Sequence, residues 1–216
     1  NPNVTVRRAA AKTLRLIKEP KSLPHLYEAL MHDPDPVVQG SSAAAMAIFG
    51  EEAVELFLQI LCNPSSTAMQ SGLASWGISF IGLEGQKAII NATFSNNIQA
   101  RAAAIAALGN QINSLGDMEA KIILQRALQD PSQEVRAEAT SLIGRINKNK
   151  WTETALVEKL DDISNEVRKN AIFALMKNKT IDSINNLKRR KRIEKNPNIV
   201  KLIDLAIKNL EIIQSS

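Results

Sequence analysis

The sequence has few of the residues that metal sites and disulfide frameworks require. It contains one cysteine, Cys62, and two histidines, His25 and His32. One cysteine excludes an intramolecular disulfide framework and is typical of proteins in reducing compartments. With so few sulfur and imidazole ligands, we expect neither a structural zinc site nor another cofactor. Cys62 lies at a predicted helix end, and we interpret it as a small buried residue rather than a nucleophile.

Aromatic residues are also scarce, at 4% of 216 residues, although 44% of the chain is hydrophobic. The core must therefore come from Ala, Leu, Ile and Val, which favours many thin helix–helix contacts over one large globular core. The longest stretch without charge, residues 56–83, is interrupted by Asn63-Pro64-Ser65-Ser66, so it does not predict a membrane span. The beginning of the sequence shows no basic segment followed by an apolar run, so no signal peptide is predicted.

A short phrase recurs along the chain at steps of 30 to 35 residues. It begins with Asp or Asn, usually followed by Pro, and ends in Val-Arg, as in Asp130-Pro131 with Val135-Arg136. We define the Arg of this phrase, or its equivalent, as position zero. The zero positions are Arg7, Gln39, Ser71, Arg101, Arg136, Arg168 and Ile203. Position +3 is always small and position +7 is always large and apolar, as in Ala171 and Leu175.

Each repeat predicts two helices. Helix B carries position zero and has a buried face that includes positions +3 and +7. Asp-Pro or Asn-Pro ahead of several B helices is a helix start signal. A second amphipathic segment, helix A, precedes every B helix except the first, which gives about thirteen helices in all. No segment alternates with the period of a strand.

A helix pair of about 32 residues cannot bury its apolar faces alone, whereas stacked pairs can. The sequence therefore predicts one all-α domain over residues 1–216, a right-handed α-solenoid of stacked antiparallel helix pairs. It holds about six and a half repeats. Because the first B helix has no A helix before it, we expect an additional part upstream of the given sequence.

These phrases resemble HEAT-like repeats of the short type found in cyanobacterial bilin lyase subunits and phycobilisome degradation factors. The residues that carry the resemblance are Asp33-Pro34-Asp35-Pro36-Val37-Val38, Asp130-Pro131 with Glu134-Val135-Arg136-Ala137-Glu138-Ala139, and Gly50-Glu51-Glu52-Ala53-Val54. The third and fourth repeats depart from the pattern, since Ser71 replaces the Arg and Ala100 replaces the Val. The resemblance implies a protein of the cytoplasm or the chloroplast stroma that binds another protein. Some relatives attach or detach bilins, usually as one half of a pair.

Positive charge is concentrated late in the chain. Residues 1–144 carry a net charge of −2 and residues 145–216 a net charge of +7. The sharpest feature is the run Lys188-Arg189-Arg190-Lys191-Arg192. Three interpretations stay open for it, namely a solvated helix end, a site for an acidic protein surface, and a nucleic-acid site. Nucleic acid is the least favoured because no aromatic residues interleave with the run.

Positions +1, +5 and +8 of the B helices lie opposite the buried face, and we call them the B ridge. The ridge is basic in the first repeat, small in the next four repeats except at Trp76, and large again in the sixth repeat at Phe173 and Met176. The resemblance implies that the ridge lines the concave side of the solenoid. A partner helix or a flat apolar group would then pack closely on Gly40 and Gly72. The alternative is that crowding between B helices demands small residues.

We therefore expect a non-enzymatic scaffold that binds a phycobilisome, photosynthetic or iron–sulfur assembly protein through a helical segment or an acidic surface. The alternative is a subunit of a phycobilin lyase that holds a bilin and its acceptor protein. No catalytic or metal-binding residue is predicted. The predicted partner-binding residues are Arg8, Lys12, Arg15, Gly40, Gly72, Trp76, Phe173, Met176, Lys188, Arg189, Arg190, Lys191 and Arg192.

Overall fold

Helices account for nearly all of the regular structure in the computed structural model, which describes residues 1–109, 111–112, 117–146 and 148–215. Within these ranges there are thirteen α-helices and no strand, as the repeat pattern predicts. The helices are α1 (Val4–Ile17), α2 (Leu23–His32), α3 (Pro36–Met46), α4 (Glu51–Cys62), α5 (Ala68–Ser79), α6 (Gln86–Ala92), α7 (Ile98–Leu108), α8 (Asp117–Leu128), α9 (Gln133–Ile143), α10 (Lys150–Lys159), α11 (Asn165–Lys177), α12 (Ile184–Ile193) and α13 (Pro197–Gln214). Odd numbers are the predicted B helices, and even numbers are the A helices.

The helices gather into two compact units, Asn1–Leu115 and Gly116–Ser216. In the first unit, α3 packs between α1 and α5, and α5 packs on α7. In the second, α11 packs between α9 and α13. Each A helix from α2 to α12 packs against the B helix that follows it. One continuous solenoid over residues 1–216 stays a prediction.

The predicted small-and-large pattern forms the core of both units. The +7 side chains from α3 to α13 are fully buried, namely Met46, Ile78, Leu108, Ile143, Leu175 and Leu210. The +3 side chains of the same helices are buried beside them. Helix α1 differs, since Ala10 is exposed and Leu14 is only half-buried. The reason is that α1 packs chiefly against α3, so its second flank has no helix over it within the described residues.

The repeated Asp of the start signal stands two residues ahead of the helix cap. In α3 the cap is Asp35, whose carboxylate accepts the Val38 N–H at 3.0 Å. The carboxylate of Asp33 instead accepts the Asp35 N–H at 2.9 Å. In α9 the cap is Ser132, and Asp130 accepts the Ser132 N–H. The repeated Asp therefore closes the turn before the helix, and its remaining oxygen is available to another donor.

That donor is the arginine at position zero of the preceding repeat. Arg136 donates from Nε to Asp162 at 2.8 Å and from Nη2 at 2.9 Å, a bidentate pair across 26 residues. Its Nη1 donates to the carbonyl oxygens of Asp130 and Pro131 in its own repeat. Arg7 binds Asp33 in the same way at 2.7 Å. The arginine thus joins the turn of its own repeat to the turn of the next, through two charge-assisted hydrogen bonds.

The last such pair is the most buried. Arg168 donates to both carboxylate oxygens of Glu194 at 2.8 Å, and the Glu194 side chain has no exposed surface. Arg190 also donates to Glu194, at 2.9 Å, as does the backbone N–H of Asn196. Burial alone would raise the pKa of Glu194, but these hydrogen bonds lower it to about 2. The residue is therefore held ionised by a complete set of donors.

Truncating the core leucines should destabilise the fold. We expect Leu108→Ala and Leu175→Ala to lower the free energy of unfolding by about 2–5 kcal/mol each, because each leaves a cavity at a fully buried +7 position. Urea unfolding followed by circular dichroism measures the effect. Leu16→Ala and Leu205→Ala, at exposed positions, serve as controls and should change the midpoint little. Unchanged midpoints for the two core variants would refute the repeat register.

Acid should remove the contribution of Glu194. Its pKa is about 2 in the folded protein and 4.5 in its ordinary state, so the stabilisation is complete above pH 4.5 and is lost as the pH falls through 2. A shift of this size corresponds to roughly 3 kcal/mol. In urea titrations from pH 7 down to pH 2, Glu194→Gln should be less stable than the wild type at pH 7, and its stability should fall less steeply with acid. The exposed-site control Glu119→Gln should follow the wild type, and parallel curves for all three proteins would contradict the assignment.

Candidate functional site

The two aromatic residues predicted on the B ridge are exposed. Trp76 in α5 is 42% exposed and Phe173 in α11 is 43% exposed. Gly72 is exposed, and Gly40 and Met176 are half-buried. The ridge assignment fails at Ala47 and at Gly144, which is position +8 of the fifth repeat, because both residues are buried. The partner-binding role of these residues stays a prediction.

The small residues on the ridge have more than one cause. A Cβ at Gly144 would lie 2.6 Å from the Cβ of Ala174, so crowding between α9 and α11 demands glycine there. A Cβ at Gly40 would meet Leu73 at 3.8 Å, an ordinary contact, and one at Gly72 would meet nothing within 4 Å. Packing therefore explains Gly144, whereas the open space over Gly72 is free for another molecule.

Trp76 has an aromatic neighbour that the sequence analysis missed. The rings of Trp76 and Phe80 lie 4.5 Å apart between centroids and are tilted by 52°. Phe80 follows the last residue of α5 and is 62% exposed. The signal available in the sequence was the spacing of four residues, which places both side chains on one helix face. Together they present an aromatic surface that no other described side chain covers fully.

This aromatic pair lines a depression on the first unit, at the C-terminal ends of three consecutive B helices. The depression has a volume of about 340 Å³, within the range of ligand pockets. A neighbouring depression of about 660 Å³ shares four of its residues. We call the two together the first-unit groove. Its lining includes Lys12, Arg15, Lys18, Ala44, Ala47, Ile48, Trp76, Phe80, Gly82 and Glu84.

Within the part of the chain that the structure describes, the cations of the groove differ from their neighbours in forming no ion pair. Arg8 donates to Asp35 at 2.6 Å, and this hydrogen bond lowers the pKa of Asp35 to about 2. In contrast, Lys12, Arg15 and Lys18 are exposed and form no ion pair with any described residue. The basic stripe predicted on α1 therefore separates into a structural arginine, Arg8, and side chains that remain available to an anion.

The basic run of α12 is largely neutralised by the chain itself. Four of its five cations form ion pairs: Lys188 with Glu211 at 2.6 Å, Arg189 with Asp161 at 2.5 Å, Arg190 with Glu194 at 2.9 Å and Lys191 with Asp204 at 2.6 Å. The run does lie at the end of α12 and all its side chains except Arg190 are exposed, so the helix-end interpretation stays open beside that of an acidic partner. Binding of an acidic partner by this run stays a prediction, and that partner would compete with these carboxylates.

A smaller depression lies on the second unit beside Phe173. Its volume is about 180 Å³, and its lining includes Arg145, Asn170 and Lys177. The sulfur of Met176 accepts a hydrogen bond from Asn209 at 3.3 Å, so this side chain is held within the helix packing. This depression is about half the size of the first one and has a single aromatic residue.

The cysteine and the two histidines, which the sequence analysis considered as reactive or metal-binding residues, all lie at exposed positions. Cys62 is the last residue of α4, as predicted, but it is exposed rather than buried because the helix end faces solvent. His25 and His32 are exposed, and His32 lies 3.7 Å from Glu28. Across the described ranges, no three His, Cys, Asp or Glu side chains gather to hold a metal. No helix in those ranges is long and apolar enough to span a membrane.

Two pairs of adjacent acids have different surroundings. Glu51 and Glu52 lie in the first turn of α4. Asp161 and Asp162 instead lie in the turn between α10 and α11, where they bind arginines. The helix dipole accounts for the first pair, and ion pairing accounts for the second.

Comparison with known proteins identifies relatives of the chain. Its sequence matches the HEAT repeats family over residues 1–75 and 120–201. It is 40% identical over 192 residues to the bilin biosynthesis protein MpeU of Synechococcus sp. (strain WH8020). The matched part is 89% of this chain and 65% of that protein, so the chain spans less than two thirds of its relative's length.

Solved structures share the fold at lower identity. The complex of CpcE and CpcF of phycocyanin lyase from Nostoc sp. PCC7120 superposes with a TM-score of 0.51 and 19% identity, over 72% of this chain and 99% of that one. A designed armadillo repeat protein in complex with a (KR)4 peptide gives a TM-score of 0.49 and 21% identity, over 87% of this chain and 99% of that protein. The likeness to the CpcE and CpcF complex supports the assignment of helical repeats.

The similarity to a bilin biosynthesis protein contradicts one expectation from the sequence. The absence of a recognisable nucleophile and base predicted a protein that is not an enzyme. The chain is instead 40% identical over 192 residues to a protein named for bilin biosynthesis, so the expectation of a non-enzymatic protein is wrong. That expectation rested only on the absence of a recognisable set of catalytic side chains.

Two glycines of α5 should respond oppositely to alanine. A Cβ at Gly77 would lie 2.4 Å from the ring of the fully buried Phe57, so Gly77→Ala should lower stability by about 1–3 kcal/mol. Gly72→Ala should raise it by about 0.5–1 kcal/mol, because its Cβ enters open space and the helix loses a flexible residue. Thermal unfolding of both variants tests this, and shifts of the same sign would contradict it.

Proposed function

Since the chain belongs to the HEAT repeat family and carries an aromatic groove beside unpaired cations, we propose that it is a subunit of a phycobilin lyase. In this function it holds a bilin while the bilin is joined to an acceptor protein. The observation that carries the proposal is the 40% identity to a bilin biosynthesis protein over 89% of the chain. This specific role is better supported than a general protein scaffold.

The chemistry of such a lyase does not require a nucleophile from this chain. Joining a bilin to a cysteine is the addition of a thiol to a carbon–carbon double bond. The S–C bond forms, the thiol proton is transferred to a bilin carbon, and no group leaves. The acceptor protein supplies the sulfur. The remaining task is to hold a flexible chromophore in one reactive geometry, and orientation alone contributes large rate factors.

The first-unit groove has the surfaces that this task requires. Trp76 and Phe80 offer exposed ring faces against which a flat conjugated molecule stacks. Ala44 and Ala47 form a floor of small side chains between α1 and α5, so a flat ligand approaches the helix backbone closely. Cys62 is not among the lining residues, which agrees with a nucleophile that comes from the acceptor. The acceptor protein is accordingly the proposed protein partner.

Reconstituted transfer tests the proposal. The full chain is incubated with phycocyanobilin or phycoerythrobilin and a panel of apo-phycobiliprotein subunits. The covalent adduct is then read by bilin fluorescence on a denaturing gel. We expect adducts above the level of the spontaneous reaction. Trp76→Ala should weaken bilin binding by about 2 kcal/mol or more, roughly 30-fold, as truncation of an aromatic anchor does.

Phe173→Ala is the matched control, since Phe173 has the same exposure as Trp76 but lies on the second unit. It should leave bilin binding near the wild-type level. A loss with Phe173→Ala and none with Trp76→Ala would place the bilin on the second unit. If the wild-type chain neither binds a bilin nor raises adduct formation, the proposed function is wrong.

A further inference from the structure

Charge is distributed unevenly across the first-unit groove. The cations Lys12, Arg15 and Lys18 belong to α1 or directly follow it, whereas Trp76 and Phe80 belong to the end of α5. Helix α3 packs between these two helices. Packed helices have axes about 8–10 Å apart, so α1 and α5 are separated by roughly 16–20 Å. A ligand that contacts both sides of the groove must be elongated.

The cationic side is built to receive an anion. Lys12, Arg15 and Lys18 are spaced three residues apart, so they repel one another along one helix flank. Among the described residues none of them has a carboxylate partner, although Arg7 and Arg8 on the same helix are both paired. An anionic ligand would relieve this repulsion. The apolar surface of Ala44 and Ile48 beside them strengthens the attraction by lowering the local dielectric constant.

The opposite side contains one acid. Glu84 lies in the turn after α5 and lines the groove together with Phe80 and Gly82. It forms no ion pair within the described ranges. A carboxylate there repels a ligand that is anionic along its whole length, but it accepts hydrogen bonds from N–H groups. The groove therefore fits a ligand with carboxylates at one side and N–H donors on a flat ring system at the other.

We propose that the groove binds the bilin in one orientation, with its propionate carboxylates on Arg15 and Lys18 and its rings on Trp76 and Phe80. Glu84 accepts hydrogen bonds from pyrrole N–H groups. This assignment rests on the proposed function, because it takes the bilin as the ligand. A bilin meets each requirement of the groove, since it is elongated, conjugated, bears two propionates and carries its N–H groups on the rings.

Absorbance titration with biliverdin and with its dimethyl ester tests the orientation. We expect Arg15→Gln/Lys18→Gln in the full chain to weaken biliverdin binding at least ten-fold at low salt. The ester, which lacks both charges, should bind the wild type at least ten-fold more weakly and be insensitive to the double variant. Lys21→Gln/Lys87→Gln removes the same charge at exposed positions outside the groove and should bind biliverdin like the wild type.

Glu84→Gln tests the role of Glu84 separately from that of the cations, through the direction in which the affinity for biliverdin changes. If Glu84 accepts N–H groups, the variant binds biliverdin more weakly, whereas tighter binding would show that Glu84 only repels the ligand and would overturn its role. Equal affinity of the wild type and Arg15→Gln/Lys18→Gln for biliverdin would overturn the propionate assignment while the proposed function stands. If the wild type binds neither biliverdin nor its ester, both proposals fail. Circular dichroism and urea midpoints establish that each variant is folded.

Discussion

The bidentate pair between an arginine and the carboxylate that follows 26 residues later is the constraint on which the repeat arrangement depends. Each arginine is bound at once to carbonyl oxygens of its own turn and to an acid of the next turn. A shift of one helix pair relative to the next would break the arginine–carboxylate bonds and leave charges without partners in partly buried positions, which is costly. The pairs therefore fix the spacing of repeats that apolar side chains alone would leave adjustable.

The groove occurs where this pattern is interrupted. Position zero of α5 is Ser71, which cannot form the bidentate pair, and no charged residue is present anywhere in that helix. Its exposed end carries Trp76 and Phe80 instead. Helix α1, two B helices away, keeps the paired arginine at its beginning and has its unpaired cations toward its end. The first unit thus combines a repeat held by ion pairs with a repeat, two B helices further along, whose surface is apolar.

The sequence predicts the fold well because its determinants are local and periodic. Leu108 and Leu175 could be placed in the core from position +7 alone, and the helix count followed from the same register. The errors arose where a side chain depends on a distant one. The acids Asp161 and Asp204, which neutralise much of the basic run of α12, precede or follow it along the chain, so their pairing needs tertiary structure. Trp76 was found by its position on the B ridge. The spacing of four residues that places Phe80 on the same helix face was overlooked, whereas Glu84 lies in the turn after the helix and had no pattern to mark it.

Repeat proteins transmit stability only between adjacent units, since each repeat touches its immediate neighbours. In the first unit the chain connects α1 to α5 through α3. A ligand spanning the groove would add a direct bond between next-nearest repeats, which the polypeptide itself supplies only indirectly. Occupancy would then make three B helices unfold as one cooperative block, and the chromophore would act as a structural crosslink for as long as it is held.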